Sequence, residues 1–282
     1  FDELKKILLE TDFYKVSENM QVHNKKRIQT IYKRYINIIE KNFNINIENS
    51  NKVNNKIEVF NQKPKGGFKT GYQLLRNQVG IEKYLTQELK GTETCLEIGC
   101  GGGQWSKHLY QLVKSLYCID TLSCEDNLFW EYVDIKKKDK ITYYNVKDTL
   151  LTCISNNSLN YVFTYDIFCH LSITTIDSYL KNLYEKCKSG CKLLVMYADV
   201  HKFLKSEPRH IKNFEKEFNV FNDIEKLKIT MLEDCDGKPR KGRWYWIGID
   251  NFVGLCEKNG FTILERDLNI DKTNPLTLFI KK

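Results

Sequence analysis

The sequence predicts an α/β protein: a mostly parallel sheet of seven strands with helices on both faces, preceded by a helical N-terminal extension. Three observations carry that expectation. From about residue 68, short apolar runs alternate with helix-length segments, the pattern of βαβ units. A glycine-rich stretch follows the first of these runs and opens the next helical segment, where α/β sheets bind ligands. The 282 residues are 41% hydrophobic and 28% charged, an ordinary globular mix in a chain long enough for one large core.

Taken in order, residues 1–41 read as helical, because Leu4, Ile7 and Leu8, then Ile28, Ile31, Tyr32, Tyr35, Ile38 and Ile39 recur at helical spacing. Residues 44–56 hold six Asn and neither Gly nor Pro, which reads as a loop or linker. Pro64 and Gly66-Gly67 punctuate its end. The expected division is an extension with its linker over 1–62 and the main domain over 63–282. A helix over 72–90 leads to Gly91. Apolar runs then fall at 94–99, 116–120, 141–145, 159–166, 191–197, 261–267 and 276–282. Helical periodicity marks Gln104–Lys114, Thr174–Lys188 and Asn251–Asn259 between them. The last two runs are joined by a short polar turn, so they are expected as an antiparallel pair at the end of the sheet. Residues 200–250 form a long insertion between the fifth and sixth runs.

Composition excludes several classes. No stretch of about 18 apolar residues exists, so no membrane span is expected. The charged start FDELKKILLE is no secretory signal, and the lack of an initiating Met points to a piece of a longer, multidomain chain. Among ten Cys there is no CxxC and no zinc-type spacing, and Cys95, Cys118, Cys169 and Cys191 lie in or beside apolar runs. A reduced, cytoplasmic setting is expected. The net charge is +8, of which +5 lies in residues 1–68. Lys25-Lys26-Arg27 and Lys33-Arg34 would suit nucleic acid, or simply a solvated helix face.

The most informative stretch is Leu96–Trp105. Glu97, Gly99, Gly101 and Gly103 alternate as E-x-G-x-G-x-G. A dinucleotide fingerprint needs GxGxxG, and it fails from either starting glycine, because Gln104 and Ser106 stand at the final position. Asp120 ends the next run, seventeen residues after Gly103, where a carboxylate can accept hydrogen bonds from a ribose diol. This arrangement resembles the first motif of the class I S-adenosylmethionine-dependent methyltransferases, and the resemblance covers about residues 68–282. Asn145–Leu150 matches the family's acidic position after the third strand with Asp148. Asn156–Phe163 resembles its fourth motif, with Asn160 where Asp is commoner. The Lys188–Cys191 turn resembles K-P-G-G with the Pro replaced, and Asn259-Gly260-Phe261 resembles its late A-G-F turn.

The resemblance implies a Rossmann-like fold and S-adenosylmethionine as cofactor, with S-adenosylhomocysteine (SAH) as product. It implies that Gly99, Gly101 and Gly103 make room for the amino-acid part of the cofactor. Asp120 would bind the ribose, and Asp148 would lie near the adenine. Glu97, Trp105, Thr121, Tyr165 and Tyr72 complete the expected cofactor set. At the end of the fourth run stands Tyr165-Asp166-Ile167-Phe168-Cys169-His170-Leu171. His170 is expected as the base that frees a hydroxyl of its proton, with Asp166 fixing its tautomer. The alternative is a structural His170 and a helix-capping Asp166. Asn/Asp-Pro-Pro-Tyr/Phe is absent there, and the D-x-F-x-H-L run is similar to small-molecule and sugar O-methyltransferases. A divalent metal on Asp166 and Asp199 is conceivable, but no carboxylate cluster compels one, and none is expected. In the insertion, His201, Arg209 and His210 flank Pro208, and Arg243, Trp244, Tyr245 and Trp246 would form an acceptor wall for a glycan or nucleotide-sugar. The alternative is a strand burying a Trp, with Trp244 and Trp246 on one face. The expected activity is methyl transfer to a sugar hydroxyl. RNA methylation and a catalytically silent partner-binding module are the other readings.

Overall fold

The computed structural model describes residues 71–133, 139–237 and 244–282. The N-terminal extension, its linker and Arg243 lie outside the described residues. Within them, α1 (Gly71–Leu89) leads to β1 (Thr92–Ile98), α2 (Ser106–Leu112), β2 (Val113–Asp120), the short α3 (Phe129–Tyr132), β3 (Ile141–Asn145) and β4 (Leu159–Thr164). Then follow α4 (Ile173–Lys186), β5 (Cys187–Met196), α5 (Val200–Ser206), α6 (Ile211–Phe218), α7 (Ile224–Glu233), α8 (Ile249–Lys258), β6 (Phe261–Glu265) and β7 (Leu276–Lys281). The strands form one sheet in the order β3-β2-β1-β4-β5-β7-β6. All neighbours are parallel except β7, which runs antiparallel to β5 and β6. This is the Rossmann-like sheet expected, and the final antiparallel pair stands where it was predicted.

Pleat parity divides the core into two layers. Cys95, Cys118, Tyr161, Phe163, Leu194 and Met196 face one side, with Ile81 and Leu85 of α1, Leu109 of α2, Val200 and Leu204 of α5, and Leu227 and Met231 of α7. Leu96, Ile98, Val162, Leu193 and Val195 face the other, against Ile176, Leu180 and Leu183 of α4 and Phe252 and Cys256 of α8. The middle strands are covered on both faces, which is why they read as continuous apolar runs rather than alternating ones. All ten cysteines are free, six of the seven fully buried ones lying in these layers with under 2% exposure.

Three local expectations shift. Helix α2 stops at Leu112 instead of Lys114, because the buried Val113 already pairs with Thr92 as the first residue of β2. Lys188–Gly190 is part of β5 rather than a turn before it. The ladder with β4 jumps from Leu159↔Cys187 to Tyr161↔Lys192, and Gly190 at φ 82° absorbs the irregularity. The insertion folds as α5, a 3₁₀ turn over Pro208–His210, α6 and α7. Its Trp244–Trp246 segment forms no strand, only a single bridge from Trp246 to Ala198. Among the described residues no helix is long and apolar enough to cross a membrane.

Candidate active site

Register places the site. Ile98 of β1 stands beside both Ile119 of β2 and Thr164 of β4, so Gly99, Asp120 and Tyr165 leave the sheet at the same level. Around those carboxyl ends lies a cavity of about 410 Å³, within the range of small-molecule sites. Eight of the residues singled out in the sequence line it: Gly99, Gly101, Trp105, Asp120, Thr121, Tyr165, Asp166 and His170.

The glycine loop folds back on β2. The N–H groups of Gly99 and Cys100 both donate to the Ile119 carbonyl, at 2.8 and 3.3 Å. Asp120 then binds the loop from the side. Its Oδ2 accepts from Gly101 N–H and its Oδ1 from Leu122 N–H, both at 2.9 Å. Each oxygen keeps a further lone pair for a ligand. Gly101 has φ 50°, and a Cβ there would meet no protein atom within 4 Å, so its backbone opens on the cavity. Gly103 does not line the cavity; a Cβ there would come within 2.2 Å of Val133.

Glu97 also stands outside the cavity lining. It shares the pleat side of Cys95 and is 2% exposed, beneath the first turn of α2. Ser106 Oγ donates to its Oε2 at 2.5 Å. Burial pushes its carboxyl from an ordinary 4.5 up to about 8, a rise that the Ser106 bond restrains and the Asp120 charge adds to. The unfolded chain therefore loses a proton near pH 4.5 that the fold keeps until about pH 8. In that window the unfolded state binds fewer protons, so stability falls as pH rises. We expect Glu97→Gln, which keeps a hydrogen-bond acceptor for Ser106, to flatten this slope. Melting temperatures across the window check it, and equal slopes for the two proteins would refute the assignment.

Asp148 is exposed, does not line the cavity, and accepts from Leu150 N–H at 2.8 Å in its own turn. Beyond Asp120 the cavity lining includes Val146 and Tyr179 of α4. Burial raises the pKa of the Tyr179 hydroxyl, and the charges of Asp148 and Asp120 add to the rise. Sequence reasoning missed Tyr179. It continues the buried stripe Ile176–Leu180–Leu183, and nothing in that period tells a core residue from a cavity wall. Tyr72 lies in α1, and its side chain is outside those described.

After β4 the chain turns sharply. Asp166 has φ 65°, a left-handed conformation that Asp tolerates better than most residues. Ser172, not Asp166, caps α4. Cys169 Sγ lies 3.6 Å from Asp166 Oδ1, and a carboxylate oxygen, the thiol and an imidazole nitrogen of Asp166, Cys169 and His170 lie within 4.8 Å of one another. Asp199 does not join them. Its oxygens accept from the N–H groups of Lys202 and Ile249, joining the starts of α5 and α8.

The insertion meets this turn. Tyr245 N–H donates to the Cys169 carbonyl at 2.8 Å, and the His170 and Trp244 rings lie 6.1 Å apart, edge to face. Behind Trp244 stand Phe203 at 5.5 Å and Trp246 at 5.5 Å, so the two Trp share one cluster. Tyr245 and Trp246 are buried and do not line the cavity, and His201 is exposed on α5 away from it. Trp244 does not line the cavity either, but among the described residues of the predicted acceptor wall it is the one whose ring meets that of His170.

Comparison with known families decides the class. Residues 72–266 match the model of the family described as "Methyltransferase domain". The chain belongs to this methyltransferase family. It is an S-adenosylmethionine-dependent methyltransferase, and the open backbone at Gly101 and the free acceptor capacity of Asp120 fit that cofactor. Similar solved structures include magnesium protoporphyrin IX methyltransferase from Synechocystis with bound SAH. It is 14% identical, with a TM-score of 0.52, over 90% of this chain and 100% of that one. Another is the PH0226 protein of Pyrococcus horikoshii, 14% identical with a TM-score of 0.51, over 88% and 99% of the two chains. No curated protein sequence matches this methyltransferase.

Proposed function

We propose that this methyltransferase acts on a hydroxyl of a carbohydrate acceptor, a glycan or a nucleotide-sugar. The observation that carries the reading is the meeting of His170 and Trp244 beside the cavity. An exposed imidazole on the cavity lining stands next to an aromatic face that can stack on a sugar ring. When bound, the cofactor supplies a methyl group activated by sulfonium charge. The chain's own residues do the rest. Gly101 leaves room for the amino-acid end, while Gly99, where a Cβ would lie 2.2 Å from Ile167, lets the turn after β4 close on the loop. Asp120 accepts from the ribose hydroxyls while holding Gly101 and Leu122. Trp105 and Tyr165 form one wall, and Val146 and Tyr179 another. Glu97 works from beneath, by fixing Ser106 at the start of α2, and Asp148 acts on the adenine side through its field at Tyr179. His170 takes the acceptor proton, and Asp166 orients its ring. Tyr72 and Arg243 stay proposed contacts, to the cofactor and to an acceptor phosphate.

A label-transfer screen tests this, with an isotope-labelled methyl donor and a panel of oligosaccharides, nucleotide-sugars, amines and RNA. Label in a sugar hydroxyl supports the reading. Label in RNA that fades steeply with salt would replace it with the nucleic-acid reading, which draws on the basic residues 1–68. SAH binding with label in no acceptor would favour a silent partner-binding module.

A further inference from the structure

The wall formed by Tyr165 is held from behind by the turn between β6 and β7. Tyr165 is 8% exposed, its ring lies 5.1 Å from that of Trp105, and its hydroxyl donates to Asp271 Oδ2 at 2.5 Å. Asp271 is 1% exposed. Its other oxygen accepts from the N–H and hydroxyl of Thr273, both at 2.8 Å, and from Asn274 N–H at 3.2 Å. One oxygen thus organises the turn, and the other is left for the tyrosine. The turn has further anchors of its own. Asp267 pairs with Lys202 of α5 and accepts from the N–H groups of Asn269 and Leu276. Ile270 packs so closely on Gly80 of α1 that a Cβ there would lie 2.6 Å from it.

We propose that Asp271 is a positioning residue for cofactor binding. Its carboxylate fixes the Tyr165 hydroxyl, and through it the ring that forms the cavity wall with Trp105. A buried carboxylate oxygen needs a donor, and the tyrosine is the one that reaches it from the cavity side. The ring therefore stands in one orientation before a ligand arrives, and no binding energy is spent on ordering it. The inference rests on the cofactor occupying this cavity.

Calorimetric titration with SAH tests it on the wild-type chain, Tyr165→Phe, Asp271→Ala, Asp271→Asn and the Tyr165→Phe/Asp271→Ala double variant. Each of the first two variants is expected to weaken SAH about fivefold to tenfold, the scale of one buried hydrogen bond. The double variant is expected to bind about as weakly as the weaker single one, because both changes remove the same bond. Asp271→Asn, which still offers the hydroxyl a partner, is expected to recover most of the affinity. Additive losses would make Asp271 a merely structural residue and overturn the proposal. Should Asp271→Ala fail to fold, Tyr165→Phe decides: unchanged SAH affinity there overturns the proposal just as well. A wild-type chain that binds no SAH would instead overturn the assignment of the cavity.

Discussion

Replacing Asp120 with Ala is expected to weaken SAH binding about 100-fold, or roughly 2.7 kcal/mol. Two losses combine. The variant removes the acceptor proposed for the ribose diol, where a site built to pair hydroxyls discriminates strongly. It also releases the Gly101 and Leu122 N–H groups, each held at 2.9 Å, so the glycine loop and the segment after β2 lose their common tether. Asp120→Asn impairs both at once. Its amide can accept at only one oxygen, and its NH₂ would face a backbone N–H, so it is expected to fall most of the way to Ala. Calorimetry gives the affinity and thermal melting checks that the fold survives. Affinity within about twofold of wild type for Asp120→Ala would remove Asp120 from the cofactor site, since a lost buried hydrogen bond alone is worth more.

His170→Ala is expected to lower turnover by about 10²- to 10⁴-fold, the range of a lost general base, with SAH affinity nearly unchanged. The separation follows from place. His170 lines the same cavity as Asp120 but stands at the turn after β4, against Trp244 and the insertion, whereas the proposed hydrogen-bonding contacts to the ribose and amino-acid end lie at the ends of β1 and β2. Measured with the acceptor that the label-transfer screen identifies, the loss belongs in kcat. Near-normal kcat would leave His170 as a wall residue and return the search for a base to Asp166. A weakened SAH affinity equal to the loss in turnover would mean that His170 shapes the cavity and moves no proton.

The two expectations differ in how far they were legible. Asp120 was marked by local signals: an apolar run, a glycine loop before it and a fixed distance between them. His170 was marked by its place after a run that reads as a strand. Trp244 was marked only as one of a group of aromatics, and the fold alone separates it from Trp246 and Tyr245. Trp246 bridges to Ala198, Tyr245 is tied to Cys169, and Trp244 is left facing His170. The four helical elements of the insertion went unnoticed. Of these, α5 and α6 span only seven and eight residues, so each repeats its apolar period barely twice, too few turns to mark a helix from the sequence.

By itself the sequence determined the seven strands, the reversal of the last pair, the glycine loop and the three elements that converge on the cavity. Those are local matters: strand runs, turn residues and spacings of a few residues carry them. Tertiary structure decided which side chains line the cavity. Glu97 lies in the same motif as Gly99 and Gly101, yet its pleat side turns it under α2, where burial holds its proton. Asp148 has the expected place in the chain but does not line the cavity, and Tyr179 comes from another element to line it. Asp271 lies 106 residues from Tyr165 and meets it only because β7 inserts between β5 and β6, carrying their turn to the carboxyl end of β4. Pleat parity and strand order act across the whole sheet, and no window of neighbouring residues contains them.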